Sequence, residues 1–204
     1  GQTCALPIWV VVIKPSGVPY EELTIEKMVV VDLDGQVVEG DLRPSSDTPT
    51  HLYLYQHFPE IGGVAHTHST WGTIWAQAKR GIPCYGTTHA DYFYGEIPCT
   101  RPLKRDEIRG DYELNTGKVI VERFKKIDPS DCPGALVAGH APFTWGDDPA
   151  AAVYHSVALE EVARMAFFTR QLKSSSKISR ALLNKHYLRK HGRDSYYGQE
   201  TVKE

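Results

Sequence analysis

His66 and His68 stand in the run Gly62-Gly63-Val64-Ala65-His66-Thr67-His68-Ser69, and this His-X-His spacing constrains the chain more than any other feature. On a strand, alternate side chains share one face, so both imidazoles project the same way, separated by two residue rises of ~3.3 Å each. Metal–nitrogen bonds of about 2.0–2.1 Å would let both rings reach one Zn²⁺ without bending the backbone. A third and a fourth ligand must come from other segments. Alone, such a pair is more often two solvated polar residues on an exposed face, so the rest of the sequence decides.

A length of 204 residues suits one domain with a sizeable core. Hydrophobic and charged fractions of 41% and 24%, with Gly and Pro scattered, exclude disordered and fibrous classes. The net charge of −2 gives bulk electrostatics no reason to favour nucleic acid or an anionic membrane. Cys4, Cys84, Cys99 and Cys132 are far apart, form no Cys-X-X-Cys and read as reduced thiols; with no secretory leader in view, the expected location is cytoplasmic. The longest apolar run, residues 8–13, is too short to span a bilayer and has the β-branched content of a buried strand.

In chain order, residues 9–13 read as a strand ending at Lys14-Pro15-Ser16-Gly17, a turn in which Pro presets φ and Gly permits φ > 0. The turn exposes amides that, with the Ser16 hydroxyl, suit a phosphate oxygen, although most such turns hold nothing. Residues 28–33 and 36–39 flank Asp34-Gly35, a hairpin signal. Residues 52–58 read as a helix, with Ser46, Asp47 or Thr48 as N-cap and Pro49 in its first turn. Its leading amides, behind Ser45 and Ser46, make an anion site in waiting, although these residues serve equally well as simple caps.

A second helix is expected over 70–79, with Trp71, Ile74, Trp75 and Ala78 on one stripe. Thr87-Thr88-His89-Ala90-Asp91-Tyr92-Phe93-Tyr94-Gly95 has no clean period and reads either as a functional loop or as an aromatic corner of the core. A charged segment, 104–113, precedes an expected strand at 118–124. A small-residue strand at 134–139 ends at His140, a plausible third metal ligand. Asp148-Pro149 opens the longest helix, to about residue 172, with Val153, Val157, Ala163, Ala166 and Phe167 on its buried face. His155 and Glu161 on it read as surface or packing residues. Residues 173–176 break that helix, and another spans about 178–191 with a basic end, either a solvated face that suits the helix dipole or a contact for a phosphorylated ligand.

Five motifs resemble one family together. They are Ile13-Lys14-Pro15-Ser16-Gly17, Pro44-Ser45-Ser46-Asp47-Thr48-Pro49-Thr50-His51, His66-Thr67-His68-Ser69, Gly86-Thr87-Thr88-His89-Ala90-Asp91-Tyr92-Phe93-Tyr94-Gly95, and Lys185-His186-Tyr187-Leu188-Arg189-Lys190-His191-Gly192 through Tyr197-Gly198-Gln199. In that order they resemble the L-ribulose-5-phosphate 4-epimerases, a branch of the class II aldolase family that includes L-fuculose-1-phosphate aldolase. The resemblance implies an α/β fold, three-layer α/β/α with a central, mostly antiparallel sheet, assembled as a cyclic homotetramer with active sites between subunits. It implies His66, His68, His140 and Asp47 as ligands of Zn²⁺, with Mn²⁺ or Co²⁺ as alternatives. Ser16, Gly17, Ser45 and Ser46 become the phosphate cradle, and Asp91 and Tyr197 the proton-handling pair, the tyrosine coming from a neighbouring subunit. Thr87, Glu113, His186 and Arg189 match supporting positions.

Residues 1–8 do not resemble the family and read as a non-native start. The family's preceding helix and strand, with a Thr-Trp-Gly-Asn loop, has no counterpart. The expectation is a single domain over 9–204 that binds metal and turns over poorly.

The implied chemistry is consistent with the residues. In a 2-ketopentose 5-phosphate, C4 is not adjacent to the carbonyl, so enolisation cannot invert it. Oxidation and re-reduction would need a nicotinamide cofactor, and no Gly-X-Gly-X-X-Gly is present, so no NAD is expected. Cleavage and re-formation of C3–C4 remains, served by a Lewis acid and a proton-transfer group on each face. A class II aldolase is the competing activity. In that branch a glutamate stands where this chain has Asp47, which favours the epimerase. A catalytically impaired metal-binding fragment is the reading from another class.

Overall fold

The computed structural model describes residues 9–172 and 177–197. The expected foreign start at 1–8 with Cys4, the helix break at 173–176, and the Gly198-Gln199 end of the last motif lie outside the described residues. In chain order the elements are β1 (Val10–Ile13), β2 (Val29–Asp32), β3 (Val37–Glu39), α1 (Thr48–His57), β4 (Gly63–His66), α2 (Thr70–Gln77), α3 (Thr87–Ala90), α4 (Arg105–Arg109), α5 (Tyr112–Arg123), β5 (Gly134–Leu136), β6 (Pro142–Gly146), α6 (Pro149–Leu172) and α7 (Arg180–His191). Helices mixed with antiparallel ladders make this an α/β chain, as expected. The ladders form two three-stranded sheets, β1-β2-β3 and β4-β6-β5. The chain divides into two units, residues 1–59 with 103–121, and residues 60–102 with 122–204.

In the first unit, β1 and β2 pair antiparallel from Val10 opposite Asp32 to Ile13 opposite Val29, and β3 completes the sheet. Period-two alternation buries Val29 and Val31 with Ile13 against Leu52 of α1. The apolar run at β1 is not a fully buried strand, because β1 lies at the sheet edge and only one of its faces is covered: Val12 is 60% exposed. The expected hairpin is present. Asp32 Oδ1 accepts the amides of Asp34 and Gln36, and Gly35 takes φ +82°, the left-handed conformation that favours glycine.

The strand expected at 118–124 is helical, as the end of α5. Val119-Ile120-Val121 carries β propensity, but burial of Thr116, Gly117, Val119 and Ile120 follows the i, i+3, i+4 spacing of a helix face, and packing overrides the local preference. Gly117 permits that packing, since a Cβ there would stand 2.9 Å from Tyr53 Cβ and 3.3 Å from the Thr50 carbonyl.

In the second unit β6 is the central strand and is buried along its whole length. It pairs antiparallel with β4, Gly63 opposite Gly146 and His66 opposite Phe143, and with β5. The strand expected at 134–139 stops at Leu136; His140 lies on the tight connection to β6, where its amide bonds the Val137 carbonyl and the Val137 amide bonds the Ala141 carbonyl. Asp148 caps α6 as expected, Oδ1 accepting the Ala151 amide at 2.7 Å.

The buried face of α6 is Ala152, Ala158, Leu159, Val162, Ala163 and Ala166, whereas Val153 and Val157 are exposed. Small side chains win because the helix lies close on the sheet: a Cβ at Gly146 would meet Ala151. The same correction applies to α2, where Gly72, Trp75 and Ala76 are buried while Ile74 and Ala78 face outward. The three described cysteines, Cys84, Cys99 and Cys132, are free thiols, and burial pushes them up to about 11, 11 and 12.

Replacing Gly117 with Val should destabilise the protein by about 1–3 kcal/mol, because the added carbons meet backbone and the root of a side chain. Urea unfolding is the measurement, and an unchanged midpoint would contradict the close approach.

Candidate metal centre and proton-transfer cluster

His66 closes β4 and His68 lies two residues beyond, past the end of the ladder. The alternation expected of a continuous strand therefore stops short, yet the two rings still converge. His66 Nε2 stands 3.1 Å from His68 Nε2 and 3.2 Å from His140 Nε2. Among the described residues these three histidines are the group whose ligand atoms gather, all within 4.8 Å of one another. Two nitrogens bound to one tetrahedral ion at about 2.0–2.1 Å would stand about 3.3 Å apart, so the spacing fits a single divalent ion.

The tautomer fits too. His66 Nδ1 is 2.9 Å from the Pro142 carbonyl, which can only accept, so Nδ1 carries the proton and Nε2 presents its lone pair to the cluster. The ring also stacks on Phe143 at 4.1 Å between centroids. Sequence spacing offered His66 and His68; only the turn before β6 brings in His140.

Asp91 follows α3 and is 16% exposed. Its Oδ1 accepts from His186 Nδ1 and Arg189 Nη2, both at 3.1 Å, and Oδ2 lies 3.3 Å from Lys190 Nζ. Burial by itself raises the carboxyl pKa, but the three hydrogen bonds outweigh it and the net shift is downward. His186, Arg189 and Lys190 are spaced i, i+3, i+4 on α7 and share one face. That spacing is the signal by which Lys190, absent from the expected set, could have been found. Tyr197 is exposed; its amide donates to the Arg189 carbonyl, and its ring lies 4.6 Å from Lys190 Nζ and 5.1 Å from the Arg189 guanidinium carbon. The carbonyl of Thr87, at the start of α3, accepts the Asp91 amide.

The histidines gather at Pro142, whereas Tyr92, beside Asp91, lines a cavity of about 410 Å³ with Gly146, Asp147, His155 and His191. His191 Nε2 in turn bonds the Asp91 carbonyl, and His155 Nδ1 bonds the Trp145 carbonyl, a packing role as expected.

In the first unit, an antiparallel bridge between Pro15 and Pro44 aligns the two expected anion-binding segments. The Ser16 amide donates to Arg43 and the Ser45 amide to Lys14. Gly17 takes φ +71°; Ser16 and Ser46 are exposed, and Ser45 is buried with Oγ accepting the Asp47 amide. Asp47 occupies the N-cap of α1, and its side chain makes no capping hydrogen bond. Glu113 lies in the first turn of α5, and its carbonyl accepts the Thr50 hydroxyl.

Residues 8–167 match the model of the Class II Aldolase and Adducin N-terminal domain. L-ribulose-5-phosphate 4-epimerase UlaF of Salmonella paratyphi B is 58% identical over 191 residues, covering 93% of this chain and 84% of the relative. Among solved structures, an L-fuculose 1-phosphate aldolase superposes with a TM-score of 0.72 at 21% identity over 87% of this chain and 78% of that one. YgbL of Escherichia coli, a putative aldolase/epimerase/decarboxylase, gives 0.66 at 24% identity over 88% and 83%. With a family model spanning most of its length and a relative more than half identical, the chain belongs to the class II aldolase family.

Proposed function

We propose that this chain is an L-ribulose-5-phosphate 4-epimerase, interconverting that sugar with D-xylulose 5-phosphate by breaking and re-forming the C3–C4 bond. The observation that carries the reading is the convergence of three histidine Nε2 atoms in a chain 58% identical to an epimerase of that name. His66, His68 and His140 would hold a divalent ion of the Zn²⁺, Mn²⁺ or Co²⁺ type, with Asp47 as a fourth ligand; when bound, the ion supplies Lewis-acid stabilisation to sugar oxygens that gain charge during cleavage.

The chain's own groups do the rest. Ser16, Gly17, Ser45 and Ser46 hold the phosphate, a reading supported by the exposed Ser16 and Ser46, the left-handed turn at Gly17 and a helix N-terminus whose N-cap Asp47 makes no side-chain cap. A held phosphate keeps the aldehyde fragment in place while it turns over its other face. Asp91, kept as the carboxylate by His186, Arg189 and Lys190, takes the proton of the C4 hydroxyl as that oxygen becomes a carbonyl. The Tyr197 phenol returns a proton to the same oxygen after attack on the opposite face. Thr87 holds the short helix leading to Asp91, and Glu113 keeps a supporting place near the start of α5.

Following the family resemblance, Tyr197 of one copy serves the histidines of a neighbour, in the cyclic homotetramer expected for the family. Three free, raised-pKa thiols suit a reducing cytoplasm, and no described helix is long and apolar enough to cross a membrane.

Product analysis with L-ribulose 5-phosphate and added metal tests the activity. The C4 epimer is expected, whereas free dihydroxyacetone with glycolaldehyde phosphate indicates an aldolase. His140→Ala and Asp91→Asn should each reduce kcat by 10²-fold or more. Tyr197→Phe should likewise lower kcat, and mixing it with His140→Ala and allowing subunits to exchange should restore part of the activity, since some interfaces then join an intact histidine set to an intact Tyr197; no recovery would count against sites shared between copies. The lowered Asp91 pKa has a stability consequence as well. Its contribution is full above the unfolded aspartate value of about 3.9 and is lost as pH falls through the lower folded value. The stability gap between wild type and Asp91→Asn, read by urea unfolding, should therefore be wide at neutral pH and shrink in strong acid.

A further inference from the structure

Glu160, on α6, has no part in the chemistry above, and its carboxylate does not face solvent alone. Oε1 and Oε2 accept the Trp71 amide at 2.9 and 3.0 Å, and Oε2 also accepts the Gly72 amide at 2.9 Å. Trp71 and Gly72 are the second and third residues of α2. Helix-leading amides have no partner within the helix, and a negative group there also complements the helix dipole. Ser69, the local N-cap, makes no such bond: its Oγ is buried and unpartnered. The cap of α2 thus comes from 88–89 residues further along the chain.

We infer that Glu160 is a positioning residue for the histidine centre, acting through the first turn of α2. The inference rests on the metal role proposed above and extends it. His68 is separated from α2 by Ser69 alone, so any movement of the first turn is passed directly to the His68 backbone. Gly72, whose amide Glu160 holds, sits against β6: a Cβ on it would lie 2.9 Å from Pro142 Cγ and from Leu159 Cδ2. Pro142 is the residue whose carbonyl fixes the His66 ring, and it follows His140 by two positions. One carboxylate therefore clamps the turn that leads from His68, and the Gly72 backbone it holds lies close against the proline that sets His66 and ends the His140 connection. Outer partners of this kind orient ligands without touching the ion.

A cap that matters only for helix stability and one that sets ligand geometry separate experimentally. The purified full chain, as wild type, Glu160→Ala, Glu160→Gln and Leu183→Ala, is titrated with Zn²⁺ against a chromophoric chelator. Thermal unfolding of each metal-free protein is recorded alongside. Leu183 is a buried residue of α7, packed on Cys84 and Ala90, and serves as the control for lost stability. Glu160→Ala should weaken Zn²⁺ about 10–100-fold. Glu160→Gln, which keeps one acceptor oxygen and provides the result should the alanine variant not fold, should fall between. Leu183→Ala should unfold earlier and bind Zn²⁺ as wild type does. Cobalt-loaded Glu160→Gln should show altered visible bands, the signature of changed ligand geometry. Wild-type affinity and unchanged bands in the Glu160 variants would overturn the inference alone, whereas a wild-type chain that takes up no ion overturns the metal reading and this inference with it.

Discussion

The bond from His66 Nδ1 to the Pro142 carbonyl is the contact on which the candidate site depends. It joins the last residue of β4 to the first of β6, so the ladder that builds the second unit's sheet also chooses the histidine tautomer. The Thr67 amide bonds the same oxygen, extending the pairing toward His68, and the tight turn into Pro142 carries His140. The sheet thus fixes His66, and the segments just past β4 and just before β6 add the rings of His68 and His140. Phe143, buried beneath and stacked on His66, supplies the rigid floor.

Charge is distributed by the same economy. Two cations and an imidazole spaced along one face of α7 converge on Asp91, and their hydrogen bonds keep its carboxyl below the ordinary range despite its burial. The two helix N-termini that bear on function are treated in opposite ways. At α2 a carboxylate from α6 takes the leading amides, leaving no role there for an external anion. At α1 the N-cap Asp47 makes no side-chain cap, and Pro44, just before the Ser45-Ser46 segment, is bridged to Pro15, just before the Ser16-Gly17 turn.

Local patterning in the sequence determined the elements whose signals are short-range: the Asp34-Gly35 hairpin, the Asp148-Pro149 start of α6, the Lys14–Gly17 turn, and His66 with His68 as a converging pair. Those features depend on φ preferences and on partners within a few residues, so the chain alone specifies them. Tertiary packing decided the rest. Residues 118–123 carry β-branched side chains but are helical, because Gly117 lets the helix seat against Tyr53. Val153 and Val157 face outward because alanines and Gly146 bring α6 close to its sheet. Lys190 beside Asp91 and Glu160 capping α2 arise from contacts 99 and 89 residues apart, and no local pattern encodes a distance that only a closed sheet and its packed helices create.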